Sequence, residues 1–523
     1  MHVNGGEFGL FLGPTICNAN CTGCNVGIDH VKATGERPEV YTLPILLNQI
    51  EQTFAVAAER GLSKVKLKYA GGEGLYMSRQ VAAIQPDLAD LSRHYDVLYS
   101  QQFLTNGGLI HAYLPILKYI ADNHQGESLE INTSIWGIED NQIRRGSPSL
   151  TWPRIQSGLK ELEQAGLSWT LHYVMNTDCG NTLLNFVRNS LDPSQPAFFG
   201  QDWKKDPLRI SVGIMRHETP YTTEQATSTW DAISSVINWL DEATRSGINL
   251  ASPYRFFDYL LPYVHGDDGI GRVLPTVRTC GTGINFAAAI PSGFARCHEL
   301  LSDKTKLKTH ITDTLLPTSE PDPFSTKLIA GNPDKPIATA IAQAFSGGGC
   351  PNDDWVHNPN GKHAEFGPLQ YEVYVPTTLA LTLLGVLQGK EQALSPVGDY
   401  LLQIGEYLAY HDPTSGHSEN ISQEMLFLSR KLYYEFFSII TDLQPSIADH
   451  LDVKVTEQLN LLADNHHVTT DNFKQALAFC CKTWLYTIDK LNKELDNKLY
   501  QDITITQEFN ELISQVQEIS TSL

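Results

Sequence analysis

The 523-residue chain is short of positive charge: 38 lysines and arginines stand against 59 aspartates and glutamates, a net charge of −21. A field of that sign repels nucleic-acid backbones and anionic membrane surfaces, so neither is expected as a partner. It leaves room for a neutral or basic peptide. Long apolar runs are also missing. None reaches the roughly 18 residues of a membrane span, and Met1-His2-Val3-Asn4 offers no basic region ahead of an apolar one. The expected location is cytoplasmic. Internal repeats and low-complexity tracts are absent as well. Hydrophobic residues at 41% and charged residues at 19% match an ordinary globular protein. The length suggests roughly three domains, large enough to need no disulfide scaffold.

An even cysteine set is the other absence. The nine cysteines are Cys17, Cys21, Cys24, Cys179, Cys280, Cys297, Cys350, Cys480 and Cys481. An odd number in a large chain of cytosolic character argues for metal-binding or catalytic thiols rather than disulfides. Three of them crowd into Cys17-Asn-Ala-Asn-Cys21-Thr-Gly-Cys24.

From about residue 5 to 260, short apolar segments alternate with amphipathic ones. Strands are expected at 8–12, 65–70, 97–105, 129–134, 168–176 and 208–215, with helices including 43–60, 152–165 and 223–246. Leu46, Leu47, Ile50 and Phe54 carry the spacing of a buried helical stripe, and Gly61 and Gly166 stand where C-terminal caps belong. Such alternation implies parallel βαβ units in an open sheet or a barrel, with ligands at the carboxyl ends of the strands. Residues 263–365 are rich in Gly, Pro and Asn and read as a loop-rich, metal-stapled region, and 366–523 read as helical.

Three thiolates within eight residues suit one metal centre. A zinc site would take a fourth ligand, for which His30 is near; a 4Fe–4S cluster would use the three thiolates and leave one iron open. The triad directly follows the first expected strand, an active-site position. The second strand ends in Ala70-Gly71-Gly72-Glu73-Gly74, where glycines admit a ligand close to backbone and a carboxylate offers an acceptor for an ammonium group.

Cys17-x3-Cys21-x2-Cys24 together with Gly71-Gly72-Glu73 resembles the radical S-adenosylmethionine (SAM) superfamily over about residues 5–260. The resemblance implies a partial (β/α)6 barrel of parallel strands over 1–262. It implies a 4Fe–4S cluster on Cys17, Cys21 and Cys24, whose open iron takes the amino and carboxylate groups of SAM. One-electron cleavage of SAM would then give a 5′-deoxyadenosyl radical that abstracts hydrogen from a substrate. By the same resemblance Gly71, Gly72 and Glu73 would meet the SAM amino group, and Asn106 would end the next strand at the cofactor. Ser134 and Arg145 would lie near the SAM carboxylate, and Asn176 near its ribose or adenine. Gly23 stands where family members often have an aromatic residue. Ordinary structural roles are open to Ser134, Arg145 and Asn176 too: strand-end caps and a solvated helix arginine.

Cys280 and Cys297 flank an expected hairpin whose turn is Pro291-Ser292-Gly293. This resembles the start of the SPASM or twitch extension of the same superfamily, which implies an auxiliary 4Fe–4S cluster in 263–365 with Cys280, Cys297 and Cys350 as ligands. The gap from the turn glycine to Cys297 is one residue shorter than usual, and the dense later cysteine run of a full SPASM domain is missing. Cys179 would be a fourth ligand or a free thiol donating a hydrogen atom to a substrate radical. Any of these can instead be a small buried hydrophobe, and Cys480-Cys481 read that way.

SPASM and twitch members most often modify ribosomally made peptides, by crosslinking, epimerisation, excision or oxidation. A precursor peptide is therefore the implied substrate, with a flavodoxin or ferredoxin as electron donor. With the cluster loop beginning near residue 17, leader recognition is expected from the all-α segment 366–523 or from a separate protein. The alternatives are a dehydrogenase or epimerase of a small molecule such as an amino sugar, and a non-catalytic zinc or iron–sulfur protein. Lys64, Lys66 and Lys68 share one face of a strand. An exposed edge strand at the barrel seam is the expectation, and a lysine reaching inward to a substrate carboxylate the alternative. Asp353, Asp354, His357, His363 and His466-His467 read as solvated loop.

Overall fold

The computed structural model describes residues 7–13, 16–21, 40–139, 141–175, 180–191, 210–214, 222–246, 286–295 and 315. Strand β1 (Glu7–Leu12) is followed by helix α1 (Leu43–Glu59), β2 (Lys64–Tyr69), a 3-10 turn (Gly74–Met77), α2 (Ser78–Ala83), α3 (Gln85–Tyr95) and β3 (Leu98–Thr105). Then come α4 (Ile110–Asn123), β4 (Ser128–Ile135), the single turn α5 (Asn141–Arg144), α6 (Trp152–Gln164) and β5 (Ser168–Met175). Helix α7 (Gly180–Leu191), β6 (Ile210–Ile214), α8 (Thr223–Arg245), β7 (Phe286–Ile290) and β8 (Gly293–Ala295) complete the set.

Local chemistry sets these bounds. Helix α1 opens with a proline in its first turn, where the missing N–H costs nothing, and Gly61 beyond it takes φ +67°. Gly166, with φ +70°, closes α6 in the same way. Along α1, Leu46, Ile50, Phe54 and Ala57 are fully buried, and each large side chain contributes about 1.5–3 kcal/mol by leaving water.

The strands form one sheet in the order β6-β5-β4-β3-β2-β1-β7-β8. From β1 to β6 each strand pairs in parallel with its predecessor. Right-handed crossovers between successive neighbours place every connecting helix on the same side. Val65, Leu67 and Tyr69 of β2, Ile131 and Ile135 of β4, and Trp169, Leu171 and Tyr173 of β5 are buried. Phe54 of α1 meets Tyr99 edge-on at 6.3 Å and Tyr173 meets Phe186 of α7 at 4.7 Å, so this is the helix-covered face.

Two departures from the sequence reading concern the sheet. Strand β2 lies between β1 and β3, so the three lysines do not mark an edge. The hairpin β7–β8 forms as expected, but β7 extends the parallel sheet by pairing in parallel with β1. Gln49 of α1 donates to the Ile290 carbonyl at 2.7 Å, fastening it there. Among the described residues no helix is long and apolar enough to cross a membrane. Residues 366–523, and all of 263–365 except 286–295 and 315, lie outside the described residues.

Candidate functional site

The segment Ile16–Cys21 follows β1 and crosses the carboxyl ends of the neighbouring strands. Three strand-end loops grip it at alternate residues.

The first grip is at Ile16. After β2 the chain reverses through Gly71 (φ +99°) and Gly72 (φ +148°). A side chain at Gly72 would bring its Cβ to 2.5 Å from the Ile16 carbonyl oxygen, so only glycine admits this approach. The Glu73 amide then donates to that carbonyl at 2.8 Å. The Glu73 carboxylate turns inward and is fully buried. One oxygen accepts from the Leu75 amide at 3.2 Å and the other from the Asn106 amide at 2.9 Å. Burial raises its pKa most; hydrogen bonds from Thr105, Asn106 and Leu75 and the nearby Arg145 charge act against that rise. An ionised carboxylate has about four acceptor positions, so these three donors leave room for one more.

The second grip is at Cys17 and Asn18. Asn106, at the end of β3, points its side-chain amide at them: Nδ2 donates to Asn18 Oδ1 at 2.6 Å and lies 3.7 Å from Cys17 Sγ. Its Oδ1 accepts from the Gly108 amide at 3.0 Å, which fixes the orientation. The Ala19 amide also donates to Cys17 Sγ, at 3.4 Å.

The third grip is at Asn20, whose amide donates to the Arg145 carbonyl at 2.8 Å. Gly146 (φ +56°) follows, and a Cβ there would stand 2.4 Å from the Asn20 carbonyl oxygen. The Arg145 side chain is buried. Its Nη2 donates to the Ser134 carbonyl at 2.8 Å and to Ser134 Oγ at 2.7 Å, and its guanidinium lies 5.2 Å from the Trp136 ring centre. Cys21 packs with Ala19, Leu150, Cys17 and Trp136.

The structure therefore brings Cys17, Cys21, Gly71, Gly72, Glu73, Asn106, Ser134 and Arg145 to one end of the sheet. Cys24, Asn176, Cys179, Cys280, Cys297 and Cys350 lie outside the described residues. Among the described residues no three His, Cys, Asp or Glu side chains converge as a metal site.

Three contributors escaped the sequence reading. Asn18 lies between two cysteines, where its residue type alone carries no signal. Asn141 accepts from the Trp136 amide and donates to the Leu150 carbonyl, both at 2.7 Å, and so holds the loop that presents Arg145. Tyr76 follows Gly71-Gly72-Glu73 by three residues and packs edge-on to Tyr113 at 6.2 Å. Burial first, then Tyr113, Glu73 and Cys17, push its phenol pKa up.

No protein-family model matches the chain, and no curated protein matches it in sequence. Among solved structures it is similar to native anSMEcpe with bound AdoMet, at 11% identity and a TM-score of 0.40, covering 58% of this chain and 83% of that one. The same protein with bound AdoMet and Cp18Cys peptide aligns at 11% identity and a TM-score of 0.39, over 58% and 82%. The cobalamin-dependent S-adenosylmethionine radical enzyme OxsB aligns at 10% identity and a TM-score of 0.22, over 92% of this chain and 55% of that one.

Proposed function

We propose that this chain is a radical SAM enzyme whose cluster is held by Cys17, Cys21 and Cys24 and whose substrate is a ribosomally made precursor peptide. The observation that carries the reading is the cysteine loop gripped at Ile16, Asn18 and Asn20 by the loops after β2, β3 and β4. A free-standing zinc knuckle has no need of such a seat.

The donor set suits an iron–sulfur cluster. Cys17 and Cys21 stand on one short loop, and the Cys17 sulfur faces two N–H donors, a feature that tunes cluster potential. When bound, the cluster supplies the electron that cleaves SAM to methionine and a hydrogen-abstracting 5′-deoxyadenosyl radical. This chain's residues bind and orient. Glu73 has one acceptor position left for an ammonium, and a cation arriving there favours its ionised form. Arg145, held by Ser134, offers positive charge to a carboxylate.

The finer assignments follow the sequence resemblance. Asn176 would complete the SAM contacts. Cys280, Cys297 and Cys350 would hold a second 4Fe–4S cluster, with Cys179 as fourth ligand or hydrogen-atom donor. A flavodoxin or ferredoxin would reduce the protein in the cytoplasm, and residues 366–523 or a separate protein would recognise a leader.

Anaerobic reconstitution followed by SAM, dithionite and candidate peptides tests the reading. Formation of 5′-deoxyadenosine that rises with peptide supports it. Turnover indifferent to every peptide overturns the peptide substrate, and zinc without iron overturns the radical chemistry.

A further inference from the structure

Parallel sheets are ordinarily covered on both faces, and their strands read as unbroken apolar runs. This sheet alternates instead. With every connecting helix on one side, the opposite face carries Lys64, Lys66 and Lys68 on β2, Gln102 on β3, Glu130, Asn132 and Ser134 on β4, and Thr170 and His172 on β5. Except for buried Gln102, all of these are partly exposed.

Glu130 lies in the interior of that face and is held from both neighbouring strands. From β3, Gln102 Nε2 donates to carboxylate oxygen Oε2 at 2.9 Å. From β5, the Thr170 hydroxyl donates to Oε1. Both donors are neutral, and no Lys, Arg or His nitrogen of the described residues lies within ion-pair distance of the carboxylate. The cations of the face are placed elsewhere. Lys64 is matched by Glu7 at 3.4 Å and Glu127 at 2.7 Å. Lys68 holds its ammonium 4.8 Å from the ring centre of Phe11 on β1, the neighbour of β2 farther from β4. Lys66 is on β2 too, two strands and roughly 10 Å across the sheet from Glu130.

A cross-strand staple does not require this charge. A glutamine at 130 would accept from Gln102 and donate to the Thr170 oxygen, since a hydroxyl serves as donor or acceptor. The negative charge is therefore in excess of what the sheet needs. An ionised carboxylate has about four acceptor positions, two on each oxygen. Gln102 takes one on Oε2 and Thr170 one on Oε1, so each oxygen keeps one. That pair suits the two parallel N–H donors of a guanidinium. The face is also continuous with the site. Glu130 precedes Ser134 by four residues, about 13 Å along an extended strand, and Ser134 holds Arg145 beside the cysteine loop. A long side chain suits that reach.

We infer that Glu130 is the subsite for an arginine side chain of the peptide substrate, with Gln102 and Thr170 as its positioning residues. The inference rests on the peptide reading above, and it turns the basic peptide that the overall charge allows into a requirement at one position.

The test is fluorescence anisotropy on the full-length, anaerobically reconstituted protein with SAM and without reductant. The probe is an end-capped Ala, Ser and Gly peptide with one central arginine and an uncharged dye. Its comparison carries citrulline, which keeps the shape and lacks the charge. The arginine peptide is expected to bind about tenfold more tightly. Glu130→Gln loses the preference, and urea denaturation shows the variant folded. Glu130→Asp keeps the sign of the preference. Glu127→Gln makes the same charge change beside Lys64 and leaves the preference unaltered. Thr170→Val shrinks it. Equal binding of the two peptides, binding of neither, or a preference that survives Glu130→Gln overturns the assignment. Methylguanidine competing as well as the peptide, mole for mole, overturns the peptide source in favour of a small guanidine. Peptide-stimulated 5′-deoxyadenosine formation with no arginine preference removes the subsite and leaves the peptide reading standing. An arginine preference lost in Glu130→Gln, with no peptide raising 5′-deoxyadenosine, does the reverse.

Discussion

The Asn106 amide donates to the buried Glu73 carboxylate at 2.9 Å, while the Asn106 side chain reaches Asn18 and the Cys17 sulfur. One residue at the end of β3 thus joins the turn after β2 to the cysteine loop after β1. The site behaves as a unit built from three strand ends, and damage at any one should reach the cysteines.

Replacing Glu73 by Gln puts an amide NH2 among donors that require an acceptor. Loss of about 1–3 kcal/mol of stability is expected near neutral pH, read by urea denaturation. The pH dependence has a defined sign. Burial raises the Glu73 pKa above its ordinary 4.5, so between that value and the folded pKa the folded state holds a proton the unfolded chain has released. Stability contributed by this group therefore falls as pH rises through the folded pKa. The gap between wild type and Glu73→Gln should narrow over that window; a widening gap contradicts the assignment.

Gly72→Ala and Gly166→Ala separate crowding from backbone strain. Both glycines have positive φ, but a Cβ at Gly166 meets nothing within 4 Å, whereas one at Gly72 meets the Ile16 carbonyl at 2.5 Å. Gly166→Ala should cost about 1 kcal/mol. Gly72→Ala should cost more and should also reduce iron bound per chain after reconstitution, which Gly166→Ala should not.

Asn106→Ala removes an N–H donor from the Cys17 sulfur. Such donors stabilise the more negative reduced cluster, so the variant's reduction potential should fall. Spectroelectrochemical titration against wild type decides it, and an unchanged or higher potential contradicts the contact.

Arg145→Lys keeps the charge but loses the planar group that donates to Ser134 and lies against Trp136. The KM for SAM should rise roughly tenfold, about 1.4 kcal/mol of binding, by the usual affinity arithmetic. A kcat that falls at constant KM would place Arg145 outside SAM binding.

The architecture was largely legible in the sequence because it rests on local signals. Alternating strands and amphipathic helices, with Gly61 and Gly166 as stops, located β1 to β6 to within about two residues. Pro115 inside helix α4 is a breaking signal in the sequence, and the helix continues through it. The pairing of β7 with β1 joins residues nearly 280 positions apart, and no local pattern encodes it. Within the site, Gly71-Gly72-Glu73 and Asn106 stood out by their place at strand ends. The inward turn of Glu73 and the roles of Asn18 and Asn141 depend on which loops meet. The lysines of β2 were visible as one face, but whether the strand was edge or interior awaited the sheet order.

The most direct test of the central claim is 5′-deoxyadenosine production by the anaerobically reconstituted full chain with SAM and dithionite, wild type beside Cys17→Ala. The account predicts iron near four or eight per chain and 5′-deoxyadenosine from the wild type, and neither an intact SAM cluster nor product from the variant. Zinc in place of iron, or undiminished product from Cys17→Ala, would contradict it.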